Sequence, residues 1–130
     1  MRRRSLIFAA CAALTASAVL AHGPKGTKPA GGNGGEIADV EGGHLEFAPT
    51  PTELRIFVTD MKDVAIVSTA MTGRVIVQEG DKQVVLPLVP RAPNLLVAPL
   101  ASPLSKGAKI AVSATLAKDA KPVQARFVVK

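Results

Sequence analysis

The chain has 130 residues, with 16 Lys and Arg against 10 Asp and Glu, a formal net charge of +6, one cysteine, no Trp and no Tyr. That length holds one small domain plus a tail. Because no aromatic residues are interleaved among basic ones, the composition argues against nucleic-acid binding, and a single cysteine excludes an intramolecular disulfide.

Residues 1–21 have the three parts of a secretory signal peptide. Three arginines, Arg2–Arg4, precede a short apolar stretch, and small or slim side chains follow at Val19 and Ala21. We therefore predict cleavage between Ala21 and His22, and export to the periplasm. The apolar stretch is too short and too rich in alanine for a membrane span, which needs roughly 20 strongly apolar residues.

Cleavage at this point changes the charge and the cysteine count. It leaves 109 residues with 13 Lys and Arg against 10 Asp and Glu, a charge of +3, because Arg2–Arg4 leave with the signal. Cys11 leaves as well, so the exported chain has neither a disulfide nor a thiol nucleophile. Two other export routes stay open beside the preferred general secretory route: Arg3 and Arg4 resemble a twin-arginine signal, and Phe8–Cys11 loosely resembles a lipoprotein box.

Residues 22–35 are rich in glycine and proline and lack apolar periodicity, so we predict a flexible tail there. From residue 36 to residue 130 the chain consists of short β-branched and aliphatic runs separated by turn residues, which predicts strands. The runs are Glu36–Glu41, His44–Ala48, Leu54–Thr59, Val64–Val67, Arg74–Gln78, Gln83–Val89, Asn94–Ala98, Lys109–Leu116 and Val123–Val129.

Local patterns show how the runs pair. Between the fifth and sixth runs, Gly80 can adopt the positive φ that a tight hairpin turn requires, and Gly42-Gly43 predicts another turn. In the last two runs every second residue is apolar, which is typical of half-buried antiparallel strands. The residues that share an apolar face are Ile110, Val112, Ala114 and Leu116 in one run and Val123, Ala125, Phe127 and Val129 in the other.

The spacing of these runs predicts an all-β fold. Seven or eight short strands in residues 36–130 are typical of an immunoglobulin-like antiparallel β-sandwich, here preceded by the signal peptide and the flexible tail. A small barrel is the alternative. The Cys-Trp-Cys pattern of antibody domains is absent, so the prediction concerns architecture alone.

The residues needed for catalysis are scarce. A hydrolase triad needs a nucleophile, a histidine base and an orienting group, and the histidines of the chain are His22 and His44. No glycine-rich loop leads from a strand into a helix, so a phosphate or dinucleotide cradle is not expected either. We predict that the protein is not an enzyme.

Metal binding is the chemistry that the two histidines favour. After cleavage, His22 would present a free α-amine and an imidazole, a chelating pair suited to copper(II) or another divalent transition metal. Because Pro24 has no backbone N–H, the tail alone cannot supply four nitrogens, and a further ligand must come from elsewhere. His44 is the candidate, with Glu46 on the same strand face about 7 Å away. Met61 is a softer donor for copper(I).

Each of these residues also has a structural interpretation. An N-terminal histidine arises wherever a peptidase cuts, and His44 and Glu46 fit a solvated strand face. Methionines such as Met61 and Met71 often fill gaps in a core. The acidic residues that lack calcium-loop spacing are interpreted as surface charge: Asp39, Glu41, Asp60 and Asp63.

Three segments, NGGEIADVEGGHLEF, LRIFVTD and AKIAVSATLAKDAKPVQARFVVK, resemble a family of small exported proteobacterial proteins of unknown activity. That family is similar to the leading domains of heavy-metal efflux adaptor proteins. The resemblance covers nearly all of residues 33–130. It aligns His44 and Glu46 with a strand motif of the family, and Asp60 with an aspartate at a strand end.

The chain departs from that family at two positions where histidine is usual. Asn33 precedes Gly-Gly, and Met61 follows the strand-end aspartate, so two potential nitrogen ligands are missing. Two functions remain. The first is a small exported, non-catalytic binding module, an accessory of copper-type metal homeostasis or efflux that uses His22, His44, Glu46 and Met61. The second is a metal-free module that docks on an envelope partner such as a metal-efflux component.

Overall fold

The computed structural model describes residues 32–130 and the short strand that precedes them at residues 27–28. The predicted signal peptide, Cys11 and His22 lie outside the described residues. Within the described part there are nine strands and no helix. The strands are β1 (Thr27–Lys28), β2 (Glu36–Val40), β3 (Gly43–Phe47), β4 (Glu53–Thr59), β5 (Thr72–Glu79), β6 (Lys82–Arg91), β7 (Leu95–Pro99), β8 (Lys109–Thr115) and β9 (Val123–Val128).

All the strands belong to one antiparallel sheet in the order β1-β2-β3-β4-β7-β6-β5-β8-β9. The sheet curls until it is nearly barrel-shaped, because β2 and β9 come together. Lys130 Nζ lies 2.9 Å from Glu36 Oε1, and the rings of Phe47 and Phe127 stack with their centroids 5.2 Å apart. The all-β antiparallel prediction is confirmed, whereas the two-sheet sandwich stays a prediction.

Strand alternation fills the interior of this curled sheet. In β4, every second residue is fully buried, with polar or half-buried residues between. The same alternation in β8 and β9 confirms the two predicted apolar faces. Burying one large aliphatic side chain stabilises the fold by about 1.5–3 kcal/mol. The largest fully buried apolar side chains are Leu45, Leu54, Ile56, Met71, Leu96, Ile110, Val58, Val75 and Val112.

Eight of the nine predicted runs match observed strands to within two residues at each end. The exception is Val64–Val67, where the prediction of a strand is wrong and the chain makes only an isolated bridge between Thr59 and Ala65. Asp60 Oδ1 accepts the backbone N–H of Val64, which turns the chain directly after β4. Val64 and Val67 stay exposed, so burial does not select an extended conformation for this segment.

The predicted hairpin between β5 and β6 is confirmed. Glu79 pairs with Lys82, and Gly80 adopts a positive φ of 60°, as a two-residue hairpin loop with glycine at its first position requires. The other predicted turn lies one residue earlier than expected. Val40 pairs with Gly43, so the loop is Glu41-Gly42, and Gly42 takes the positive φ of 85°.

Strand β6 changes partners along its length. Residues 82–88 pair with β5, and Val89–Arg91 pairs with β7 on the other side. Hydrogen-bonded and non-hydrogen-bonded pairs alternate from the closing pair of the hairpin, so the position of Pro87 does not require an N–H toward β5. By the same alternation, Pro90 does not require an N–H toward β7. Both prolines therefore fit inside a strand that joins the two halves of the sheet.

One ion pair at the sheet surface gives a pH-dependent prediction. Arg91 donates to both carboxylate oxygens of Glu53 at 2.9 Å, and this hydrogen bonding lowers the pKa of Glu53 below its ordinary value of 4.5. A carboxyl whose pKa is lower in the folded state stabilises the fold above its ordinary pKa, and the contribution is lost as the pH falls through the lowered value. Glu53→Gln should therefore be less stable than the wild type at pH 7 and equal to it in strong acid.

Urea denaturation of both proteins at pH 7 and at acid pH measures this difference. Asp81→Asn, in the exposed turn between β5 and β6, is the control because the Asp81 carboxylate makes no ion pair with any described residue, and the substitution should leave stability nearly unchanged at both pH values. A Glu53→Gln effect of the same size at both pH values would contradict the prediction.

Candidate functional site

The outer face of β2, β3 and β4 carries two of the predicted site residues. Leu45 and Phe47 point into the core, so His44 and Glu46 point to the opposite face, as the sequence predicts. These two side chains are not solvated, however, because His44 is only 9% exposed and Glu46 only 7% exposed. The interpretation of these two residues as an ordinary solvated face is therefore wrong.

An open groove with a volume of about 690 Å³ crosses this face. It combines apolar side chains with polar groups that converge on one space, which is the usual make-up of a ligand site. The segment before β2, the loop after β4 and the start of β7 form its walls. The lining residues are Gly32, Asn33, Ile37, His44, Glu46, Phe57, Thr59, Asp63, Ala65, Pro93, Asn94 and Leu95.

The ring of His44 lies between two carboxylates. Its Nδ1 is 3.0 Å from Asp63 Oδ1, and its Nε2 is 3.2 Å from Asp39 Oδ1. An ionised carboxylate only accepts hydrogen bonds, so a doubly protonated ring donates to both, and a neutral ring donates to only one. The second nitrogen of a neutral ring would then carry a lone pair that can bind an electrophile, such as a metal ion or a proton.

The loop after β4 brings Asp63 to His44. Asp60 Oδ1 accepts the backbone N–H groups of Lys62 at 2.8 Å and of Val64 at 3.0 Å, which is the usual way in which aspartate closes a turn on itself. Asp63 itself has a positive φ of 63°, a conformation that aspartate tolerates better than most residues. Asp60 therefore shapes the loop, and the loop places Asp63 beside His44.

The hairpin between β2 and β3 brings Asp39 to His44. Asp39 and His44 are direct cross-strand partners. The predicted turn at Gly42-Gly43 would instead pair His44 with Glu41, two residues from Asp39, and so the sequence pattern missed the pair. The residue that could have indicated the observed register is Gly43, the second glycine of the pair, which belongs to β3 and not to the turn. Gly43 lies against the carbonyl of Thr59, so it is a strand glycine required by close packing.

Glu46 serves a different purpose from His44. Its Oε2 accepts the backbone N–H groups of Asn33 at 2.9 Å and Gly35 at 2.8 Å, and its Oε1 accepts the side-chain amide of Asn33 at 3.0 Å. We call this arrangement the Glu46 clamp. It fixes the segment before β2, which the sequence places in the tail, and it uses the carboxylate that was predicted as a metal ligand.

The remaining predicted donors are distributed differently. Met61 is 65% exposed in the loop after β4 and does not line the groove, whereas Met71 is buried in the core. The structure thus brings His44 and Glu46 to one groove but does not bring Met61 into it. His22 lies outside the described residues.

No protein-family model, curated protein or solved structure matches this chain. The family resemblance drawn from the sequence therefore stays a prediction, and the function has to be argued from the residues of the groove. In residues 32–130 there is no helix that is long and apolar enough to cross a membrane.

The geometry around His44 fits part of a metal site. Two ligand atoms at ordinary zinc distances of about 2.0–2.1 Å lie about 3.3 Å apart in a tetrahedron. His44 Nε2 and Asp39 Oδ1 are 3.2 Å apart, and a carboxylate on the second ring nitrogen, here Asp63, is the common outer partner of a ligating histidine. No group of three or more His, Cys, Asp or Glu in the described residues could hold a metal ion, so any further ligand would have to come from outside them.

Proposed function

We propose that the protein is a small, non-catalytic binding module that is exported to the periplasm and handles a copper-type divalent metal ion. The observation that carries the proposal is the position of His44, which lies between Asp39 and Asp63 at the wall of the groove. In this proposal His44 and Asp39 are ligands, and Asp63 orients the ring. Glu46 holds the groove in shape rather than binding the ion.

The predicted N-terminus supplies the missing ligands. Thr27 of β1 lies opposite Ala38, the residue before Asp39. His22 precedes Thr27 by five positions, which span at most about 17 Å when extended, so in this proposal its α-amine and imidazole reach His44. Copper(II) favours such nitrogen donors over most other ligand sets.

The test is titration of the exported protein with Cu(II), Ni(II) and Zn(II), after intact mass has established that the chain begins at His22. We expect one ion to bind with a Kd tighter than about 10 μM, equivalent to about 7 kcal/mol. His22→Ala, His44→Ala and Asp39→Ala should each weaken binding at least about tenfold. Asp81→Ala removes an exposed carboxylate from the hairpin between β5 and β6 and should leave binding unchanged.

Two outcomes would sink the metal proposal. The first is that no ion binds the correctly processed protein more tightly than about 10 μM. The second is that His44→Ala and Asp81→Ala bind equally well. A residue or tag added before His22 is a further control, because it removes the chelating amine and should abolish tight copper binding.

A metal-free docking module is the second candidate, and a specific observation favours it. Every buried side-chain N or O atom in the described residues has a hydrogen-bond partner without any ion. His44 and Glu46 are thus satisfied by the protein alone. On this alternative the groove docks on an envelope partner, and a pull-down from periplasm should recover the same protein with the wild type and in the presence of a chelator, but not with a groove variant such as Phe57→Glu.

A further inference from the structure

A second surface, unrelated to the groove, lies on the outer face of β5, β6, β8 and β9. Cross-strand register places Val85, Ile76, Ala111 and Arg126 in one row across the four strands. Arg74 lies on the same face, two residues from Ile76. Lys109 also lies on this face, two residues from Ala111 and on the opposite side of the row from Arg74. We call this surface the basic face. Its three cations surround a small apolar centre.

The basic face contains no acidic residue. Arg74, Lys109 and Arg126 are all exposed, and none of their side chains makes an ion pair or hydrogen bond with a described residue. Two cations elsewhere on the surface, Arg91 and Lys130, are instead paired with acids. Where these four strands pair with one another, their outward positions are Thr72, Arg74, Ile76, Gln78, Gln83, Val85, Pro87, Lys109, Ala111, Ser113, Thr115, Gln124, Arg126 and Val128.

The shape of the face indicates what it can bind. Two shallow depressions of about 300 and 160 Å³ share Ile76, Ala111 and Arg126. Lys109 flanks the larger one, and Arg74 flanks the smaller one. Each depression therefore offers an apolar floor and two cations, an arrangement that suits a phosphate attached to an apolar group.

The face lacks the features that other anionic partners use. The backbones of β5 and β8 are paired on both sides, so the centre of the face, where Arg74 and Lys109 lie, offers no strand edge to an acidic peptide. Its outward positions include no aromatic ring on which a base or a sugar could stack. What remains is a cationic surface with an apolar centre, which matches the phosphates and the apolar interior of an anionic lipid surface.

We propose that the basic face docks on an anionic phospholipid surface. Arg74, Lys109 and Arg126 contact headgroup phosphates, while Val85 and Ile76 rest against the glycerol and upper acyl region. The docking is peripheral, because the face is a surface of a folded sheet. It does not depend on the metal proposal, since none of its residues lines the groove of His44.

The test measures binding to vesicles of phosphatidylcholine with and without one third phosphatidylglycerol, at low salt and at high salt. The wild type should bind the anionic vesicles, and binding should fall at high salt because exposed charges are screened. Each cation near an anionic surface contributes about 1 kcal/mol, so the double variant Arg74→Gln, Arg126→Gln should bind about thirtyfold more weakly.

A matched control separates the face from net charge. The double variant Lys62→Gln, Lys118→Gln removes two exposed cations from loops away from the face and should change binding less than about threefold. Gln124→Lys adds a cation in the cross-strand row of Arg74 and Ser113 and should tighten binding about fivefold. Circular dichroism of each variant shows that the fold is intact.

Three outcomes would overturn the proposal. Equal losses in the two double variants would mean that net charge alone drives binding. Equal binding to neutral and anionic vesicles would mean that the cations play no part. Complete competition by millimolar inorganic phosphate, or tighter binding to an acidic polypeptide than to vesicles, would assign the face to a soluble anion or to a protein instead.

Discussion

Glu46→Ala is expected to destabilise the fold by about 3 kcal/mol, because a hydrogen bond to a charged group contributes about 1.5–3 kcal/mol and a buried N–H left without a partner costs more. The variant removes all three hydrogen bonds of the Glu46 clamp. The N–H of Gly35 is the most affected, because Gly35 is buried. Urea denaturation at neutral pH measures the loss.

A graded series makes this expectation specific. Asn33→Ala removes only the side-chain amide of the clamp and should cost about 1 kcal/mol. Glu41→Ala is the control, because Glu41 is an exposed residue of the hairpin loop between β2 and β3; its effect should lie within about 0.5 kcal/mol of zero. If Glu46→Ala were as mild as Glu41→Ala, the clamp would not be a stabilising contact.

Gly43→Ala is also expected to cost about 3 kcal/mol, because a Cβ at this position would overlap the carbonyl oxygen of Thr59, and a crowded backbone cannot give way as a side chain can. The overlap must push β3 away from β4. Since His44 is the next residue, we also expect the pairing of its ring with Asp39 and Asp63 to loosen, which the ring resonances in an NMR spectrum would show as a changed environment.

Gly32→Ala is the matched control for this substitution. Gly32 also lines the groove, but a Cβ there would meet no atom within 4 Å, and its φ is not positive. It should therefore leave stability unchanged or raise it slightly. Equal stability of the Gly43 and Gly32 variants would show that the strands separate at no cost.

Most of the strands could be predicted from the sequence, because the interior of this fold is built from period-two alternation. Ile110, Val112 and Ala114 illustrate this, since each is buried as their spacing predicts. Val64–Val67 shows where the method fails. Its composition favours a strand, but the side-chain cap of Asp60 turns the chain before a ladder can form, and such a local hydrogen bond has no periodic signature.

The site could be predicted only in part, for a related reason. The face of His44 and Glu46 follows from alternation, and that prediction is confirmed. What covers the face does not follow, because the Glu46 clamp and the contact with Asp63 join residues 11 to 19 positions apart in the chain. The pair of Asp39 with His44 depended on a turn register that a single extra glycine leaves ambiguous.

The change of partners in β6 also leaves part of this strand with an edge that is unpaired within the described sheet, and the sequence limits how another chain can pair with that edge. Along residues 82–88 no described strand pairs on the side away from β5, and exposed Val84 and Val85 would otherwise invite polymerisation. The backbone nitrogens that point away from β5 belong to Gln83, Val85 and Pro87, and Pro87 has no N–H to donate. A strand from another molecule that paired with this edge could accept hydrogen bonds from Gln83 and Val85 but not from Pro87. The interrupted ladder disfavours fibril growth from this edge.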